Sequence, residues 1–138
     1  MISVPAWELR RALGAVLPHV GEHHWLPQFR GVCLQARDGV LYLAATDGYT
    51  LAVTRITMAG WAAVPVPELS VLLPRLAAKG LRRFLRGAEG VAELTADESR
   101  LSVSAADGSG GTWAIGAQEG SFPGWRAMLH RMLTAEEA

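Results

Sequence analysis

The feature that most constrains this chain is a self-similarity at about 60 residues within its 138. Val4, Pro5, Glu8, Leu9 and Leu13 reappear as Val64, Pro65, Glu68, Leu69 and Leu73, and Gly31, Val32 and Asp38 reappear as Gly90, Val91 and Asp97. After a one-residue insertion, Leu41, Ala45, Asp47 and Gly48 match Leu101, Ala105, Asp107 and Gly108. A repeat of that length is a supersecondary unit used twice. It predicts two halves, about 1–60 and 61–130, followed by a tail over 131–138.

Each half carries the same local signals: a short strand ending in Val-Pro, an amphipathic helix, then strands divided by turns. Trp7, Leu9, Leu13, Val16 and Leu17 approximate the helical period, with Arg10 and Arg11 off that stripe and Gly21 ending the helix. Val32, Leu34 and Ala36 alternate with other residues, Asp38-Gly39 supplies a turn, and Leu41 and Leu43 resume, which is a hairpin pattern. A second turn at Asp47-Gly48 leads into Leu51 and Val53. In the second half Leu69, Leu72, Leu73 and Leu76 suggest a helix over 67–86, broken by Pro74 and weakened by Gly80. The expected fold class is α+β: one pseudo-twofold domain with its two helices packed on one face of antiparallel sheet.

Composition narrows the function classes. A chain of this size buries roughly two-thirds of its unfolded surface, so a core forms without staples. The single cysteine, Cys33, forms no intramolecular disulfide and suits a reducing cytoplasm; a buried strand position is expected for it. The longest uncharged stretch, 56–67, has 12 residues and two prolines, short of the roughly 20 apolar residues that span a bilayer. No basic region precedes an apolar run at the amino terminus, so neither a membrane partner nor a secretory signal is expected. The location expected is cytoplasmic.

Thirteen basic and thirteen acidic residues cancel, but their distribution is uneven. No acid falls between Glu68 and Glu89, whereas Arg75, Lys79, Arg82, Arg83 and Arg86 all do, at spacings of three and four that line one helix face. Such a stripe tracks phosphates without reading bases; a solvated helix face is the plainer alternative. His19, His23 and His24 lack a completing ligand other than Glu22, so no metal is expected. Gly108, Gly110 and Gly111 lack the Lys-Ser/Thr and helix of a phosphate loop and fit a hairpin turn instead. No nucleophile-base arrangement or paired carboxylates stand out, so neither an enzyme nor a cofactor is expected.

Ala45-Thr46-Asp47-Gly48-Tyr49-Thr50-Leu51-Ala52-Val53 resembles the Ala-Thr-Asp-Gly-X-X-Leu-Ala motif in the middle domain of bacterial DNA polymerase III β sliding clamps. Gly120-Ser121-Phe122-Pro123-Gly124-Trp125-Arg126-Ala127-Met128-Leu129 resembles the Gly-X-Phe-Pro-X-Tyr-X-X-X-Leu that closes the same domain. Leu26-Pro27-Gln28-Phe29-Arg30-Gly31-Val32 and Val64-Pro65 fall in matching order, so the resemblance runs from Ile2 to about His130.

The resemblance implies a clamp-like replication accessory, a processivity factor in kind, that binds duplex DNA without sequence preference. Arg10, Arg11, Arg75, Lys79, Arg82, Arg83 and Arg86 are its candidate DNA contacts. It also implies a pocket for short peptides of DNA polymerase and other clamp-binding proteins, walled here by Thr46, Gly48, Tyr49, Leu51, Pro123 and Met128. The alternative for Leu51 and Met128 is that they fill the core. A clamp subunit has three such domains and two subunits close a ring; this chain supplies one, so homo-oligomerisation is the route by which it would encircle DNA. The rival expectation is a stand-alone regulatory module that keeps the clamp fold for protein binding alone. Ala127 stands where the family commonly has a basic residue, and Pro74 departs from the family's unbroken helix.

Overall fold

The computed structural model describes residues 2–21, 29–37, 39–57, 69–97, 99–115 and 127. Strand β1 (Ile2–Pro5) leads into helix α1 (Ala6–Val16), followed by a short 3-10 turn at Leu17–His19 and then by β2 (Gly31–Arg37), β3 (Val40–Thr46) and β4 (Leu51–Thr57). The order then repeats as β5 (Leu69–Pro74), α2 (Arg75–Leu85), β6 (Val91–Ala96), β7 (Arg100–Ser104) and β8 (Gly110–Ala114).

Two antiparallel four-stranded sheets result, ordered β1-β6-β7-β8 and β4-β3-β2-β5. The leading strand of each half is therefore exchanged: β1 pairs with β6 and β5 pairs with β2. The helices follow the same symmetry. The Ala6 amide, at the start of α1, donates to the Gly90 carbonyl just before β6 at 2.9 Å, and the Arg75 amide, at the start of α2, donates to the Arg30 carbonyl just before β2 at 3.2 Å. Each helix thus caps one orphan amide on the other half's chain.

The expected α+β class and pseudo-twofold hold, with two sheets beneath the helices rather than one. Both helices bury a stripe in a shared core: Ala6, Leu9, Ala12, Leu13 and Val16 from α1, and Ala78, Leu81 and Leu85 from α2. The sheets supply Val32, Leu34, Leu41, Leu43 and Leu73 on one side and Val4, Leu94, Leu101 and Val103 on the other. Cys33 is a buried strand residue, as expected.

Four local expectations are corrected. Leu69, Leu72 and Leu73 lie on β5, not on a helix, because Leu69, Val71 and Leu73 alternate inward with Ser70 outside. Pro74 does not break a helix; it ends the strand and sits at the N-cap of α2 at φ −56°, where a missing N–H costs nothing. Gly80 leaves α2 continuous and faces Trp113, whose ring Nε1 would stand 2.9 Å from a Cβ at that position. Trp7 and Leu76, assigned to the apolar stripes, are 63% and 77% exposed.

The same frame explains the repeat. Counting from first residues, the strands are offset by 60 (Gly31 to Val91) but the helices by 69 (Ala6 to Arg75), because the α1–β2 connection is nine residues longer than the α2–β6 connection. Pro5 therefore corresponds to Pro74, not Pro65, and the exposed pair Trp7 and Leu76 are equivalents. α1 ends at Val16 rather than at Gly21. The boundary drawn at residue 60, the second Val-Pro and the 131–138 tail lie outside the described residues.

Candidate functional site

Helix α2 alone carries the basic stripe. Its buried side turns Ala78, Leu81 and Leu85 inward, which leaves Lys79, Arg82, Arg83 and Arg86 exposed on the outer face. Arg82 and Arg83 lie in the last turn, where positive charge complements the helix dipole, whereas Arg75 sits in the first turn.

Arg75, Lys79, Arg82, Arg83 and Arg86 line a single groove of about 410 Å³ whose other wall is Gly14 of α1 with Leu17 and Pro18 of the 3-10 turn that follows it. No carboxylate lines it among the described residues. The stripe expected from spacing is thus one concave surface between two elements. Sequence reasoning missed the α1 wall, since a glycine, a leucine and a proline carry no charge signal.

Arg10 and Arg11 do not line this groove. Arg10 is half-buried on α1, and the exposed Arg11 places its guanidinium 5.9 Å from the centroid of the Trp7 ring, a cation–π arrangement one helical turn apart.

The second candidate surface is the β3–β4 turn. Thr46 is fully buried at the end of β3; its hydroxyl donates to the Thr50 carbonyl at 2.5 Å and accepts from the Gly48 amide at 3.1 Å. Asp47 Oδ1 accepts from the Tyr49 and Thr50 amides at 2.8 and 2.7 Å and from the Thr50 hydroxyl at 3.2 Å. The two backbone donors from Thr50 and Tyr49 hold its carboxyl below the ordinary aspartate value. Gly48 takes φ 93°, a conformation a side chain resists.

This bracing presents Tyr49, 93% exposed, at the tip. Leu51 packs on the outer side of its sheet against Cys33 and Ala44, beside Tyr42 and Val53, in an apolar cluster separate from the main core. Leu51 therefore does not fill the main core. Pro123 and Met128 lie outside the described residues, and Ala127 is exposed.

His19 joins this turn from the far side: its Nδ1 stands 3.1 Å from Thr50 Oγ1. His23 and His24 lie outside the described residues, and no group of three potential metal ligands occurs among the described ones. Gly108 turns the β7–β8 hairpin at φ 90°, the equivalent of Gly48, and Asp107 accepts from the Ser109 amide at 2.9 Å. The glycine-rich segment is a hairpin, as its sequence suggested.

Two helices backed by two four-stranded sheets, with the leading strands exchanged about a pseudo-twofold, define a domain of the DNA sliding-clamp fold. In particular, it is the fold of one domain of the bacterial DNA polymerase III β subunit. The chain superposes on that subunit from Pseudomonas aeruginosa with a TM-score of 0.78 at 21% identity, over 91% of this chain and 33% of that one. The sliding clamp of Bacillus subtilis gives 0.78 at 17% identity over 92% and 32%, and the β subunit of Thermotoga maritima 0.77 at 20% over 91% and 32%. The chain spans about a third of the length of each. No protein-family model matches the sequence, and no curated protein matches it. No helix among the described residues is long and apolar enough to cross a membrane.

Proposed function

We propose that this chain is a clamp-like DNA-replication accessory that acts by binding rather than by catalysis, holding the phosphate backbone of duplex DNA in the groove between α1 and α2. The observation that carries this reading is the groove itself: five cationic side chains and, among the described residues, no carboxylate on one concave surface. Arginine and lysine at helical spacing neutralise phosphates, release counterions and read no bases. Arg10 on α1, the pseudo-twofold equivalent of Lys79, and Arg11 extend the same charge along the helix layer. Homo-oligomerisation into a ring and a cytoplasmic setting belong to the proposal.

Fluorescence anisotropy with a labelled duplex tests it. Binding is expected to be weak, independent of sequence and steeply reduced between about 50 and 200 mM salt. The variant carrying Lys79→Glu, Arg82→Glu, Arg83→Glu and Arg86→Glu is expected to lose binding altogether. Equal affinity in that variant, or none by the parent at low salt, removes DNA from the function.

A second reading is favoured by the 93% exposure of Tyr49 on a turn braced by five local hydrogen bonds at Thr46, Asp47 and Thr50. In that reading Thr46, Gly48, Tyr49 and Leu51, with Pro123 and Met128, form a half-pocket for clamp-binding peptides of polymerases, and the module serves protein binding alone. A rigid aromatic with a polar tip beside apolar Leu51 is a suitable anchor. Titration with such a peptide, followed by amide shifts, is expected to move Thr46 through Leu51 with a Kd in the tens of micromolar, about 6 kcal/mol. No shift at millimolar peptide rejects the site.

A further inference from the structure

Gly14 sits inside α1, two residues from its end, where glycine is a poor helix former. A Cβ built there would lie 3.0 Å from both Nε and one terminal nitrogen of Arg82 and 3.2 Å from its Cζ. The guanidinium of Arg82 therefore rests against bare backbone of α1, in the space a side chain would take. Its place is the last turn of α1, where the carbonyl end of the helix attracts positive charge and α1 has no basic residue of its own. Arg82 and Gly14 both line the cationic groove.

We infer that Gly14 is the positioning residue of the groove: by lacking a side chain it gives Arg82 a seat on α1, and so fixes one guanidinium where a phosphate of the bound strand passes. The inference rests on the DNA-binding reading above. An arginine on a helix surface samples many rotamers, and ordering it costs side-chain entropy at the moment of binding. A guanidinium already laid across a neighbouring helix has lost that freedom before the ligand arrives, which is preorganisation. Leu17 and Pro18 continue the same wall and present no charge to compete.

Gly14→Ala requires the guanidinium to give by a few tenths of an ångström, whereas Gly14→Leu fills the seat. Both substitutions favour the helix, so the fold is expected to tolerate them. Affinity for a labelled duplex and its salt dependence are measured for the parent, Gly14→Ala, Gly14→Leu, Arg82→Ala and the Gly14→Leu/Arg82→Ala pair, with a thermal midpoint for each.

Arg82→Ala is expected to weaken binding roughly three- to tenfold and to lower the salt slope by about one. Gly14→Leu is expected to do the same, Gly14→Ala to fall between it and the parent, and the double variant to be no weaker than Arg82→Ala. A merely structural glycine would move the midpoint and leave the slope. If the parent binds and Gly14→Leu matches it, or if the two losses add, the inference is overturned while DNA binding stands. If Arg82→Ala binds as the parent does, the inference is overturned as well. Absence of binding by the parent removes both. Should Gly14→Leu fail to fold, the cycle of Gly14→Ala with Arg82→Ala decides by the same criterion of non-additivity.

Discussion

Gly31 opens β2 where that strand passes β5, and a Cβ there would stand 2.6 Å from the Leu73 carbonyl oxygen. That neighbour is ladder backbone and cannot step aside, in contrast to Gly14, whose neighbour is a side chain. Gly31→Ala is expected to destabilise the domain by about 1–3 kcal/mol in chemical denaturation, as overpacking does elsewhere. The strand interior repeats the lesson of register. Leu41 and Leu101, matched at an offset of 60, are both fully buried, and truncating either to alanine is expected to cost about 2–5 kcal/mol. Val32 was matched to Val91 at 59, and the two lie on opposite faces: Val32 is fully buried and Val91 is 40% exposed. The true partner of Val32 is Ala92, also fully buried. A one-residue slip inverts every side chain of a strand, so an alignment good enough to find the repeat was too loose to assign its core. Val91→Ala is accordingly expected to stay within about 0.5 kcal/mol of the parent.

The strands of each hairpin were legible because alternation and an Asp-Gly or similar turn are local signals, and Gly39, Gly48 and Gly108 all adopt the positive φ those turns require. The start of the second helix was not legible. Leu69, Leu72, Leu73 and Leu76 fit a helical spacing as well as Leu69, Val71 and Leu73 fit a strand. The ladder with β2 decides between them, and that contact is long-range. The basic stripe survived the error, because Arg75 through Arg86 lie beyond Pro74 under either reading. Strand exchange has its own consequence for the halves. Ile2 and Val4 are buried against the second half, and Leu69, Val71 and Leu73 against the first, so neither half keeps a closed core alone. A fragment of residues 1–68 is expected to show no cooperative unfolding transition by circular dichroism, and mixing it with residues 69–138 is expected to restore one. Independent folding of either fragment would contradict the exchanged pairing.

At the scale of the whole molecule, charge bears on stability through its carboxylates. The overall balance is neutral, yet four cations cluster on α2 with no acid among them, while Asp47, Asp97 and Asp107 sit at turns that follow strands. Asp47, Asp97 and Asp107 each accept hydrogen bonds from amides or hydroxyls two or three residues on, and these bonds lower each carboxyl below the ordinary value of 3.8. Depressed folded values mean that the unfolded chain binds protons more readily than the folded one. The stability these groups contribute is therefore fully present above about pH 4 and is lost as pH falls through the depressed folded values. All three carboxylates face solvent, which screens each contribution, so the effect is expected as a shared acid limb and not as one dominant site. Thermal midpoints measured from pH 7 downward should be level until about pH 4 and then decline. A variant carrying Asp47→Asn, Asp97→Asn and Asp107→Asn keeps a side-chain oxygen to accept the same amides but has no proton to gain. Its acid limb is expected to be shallower than the parent's, with the cationic groove unaffected at neutral pH; an unchanged limb would place the acid sensitivity elsewhere in the chain.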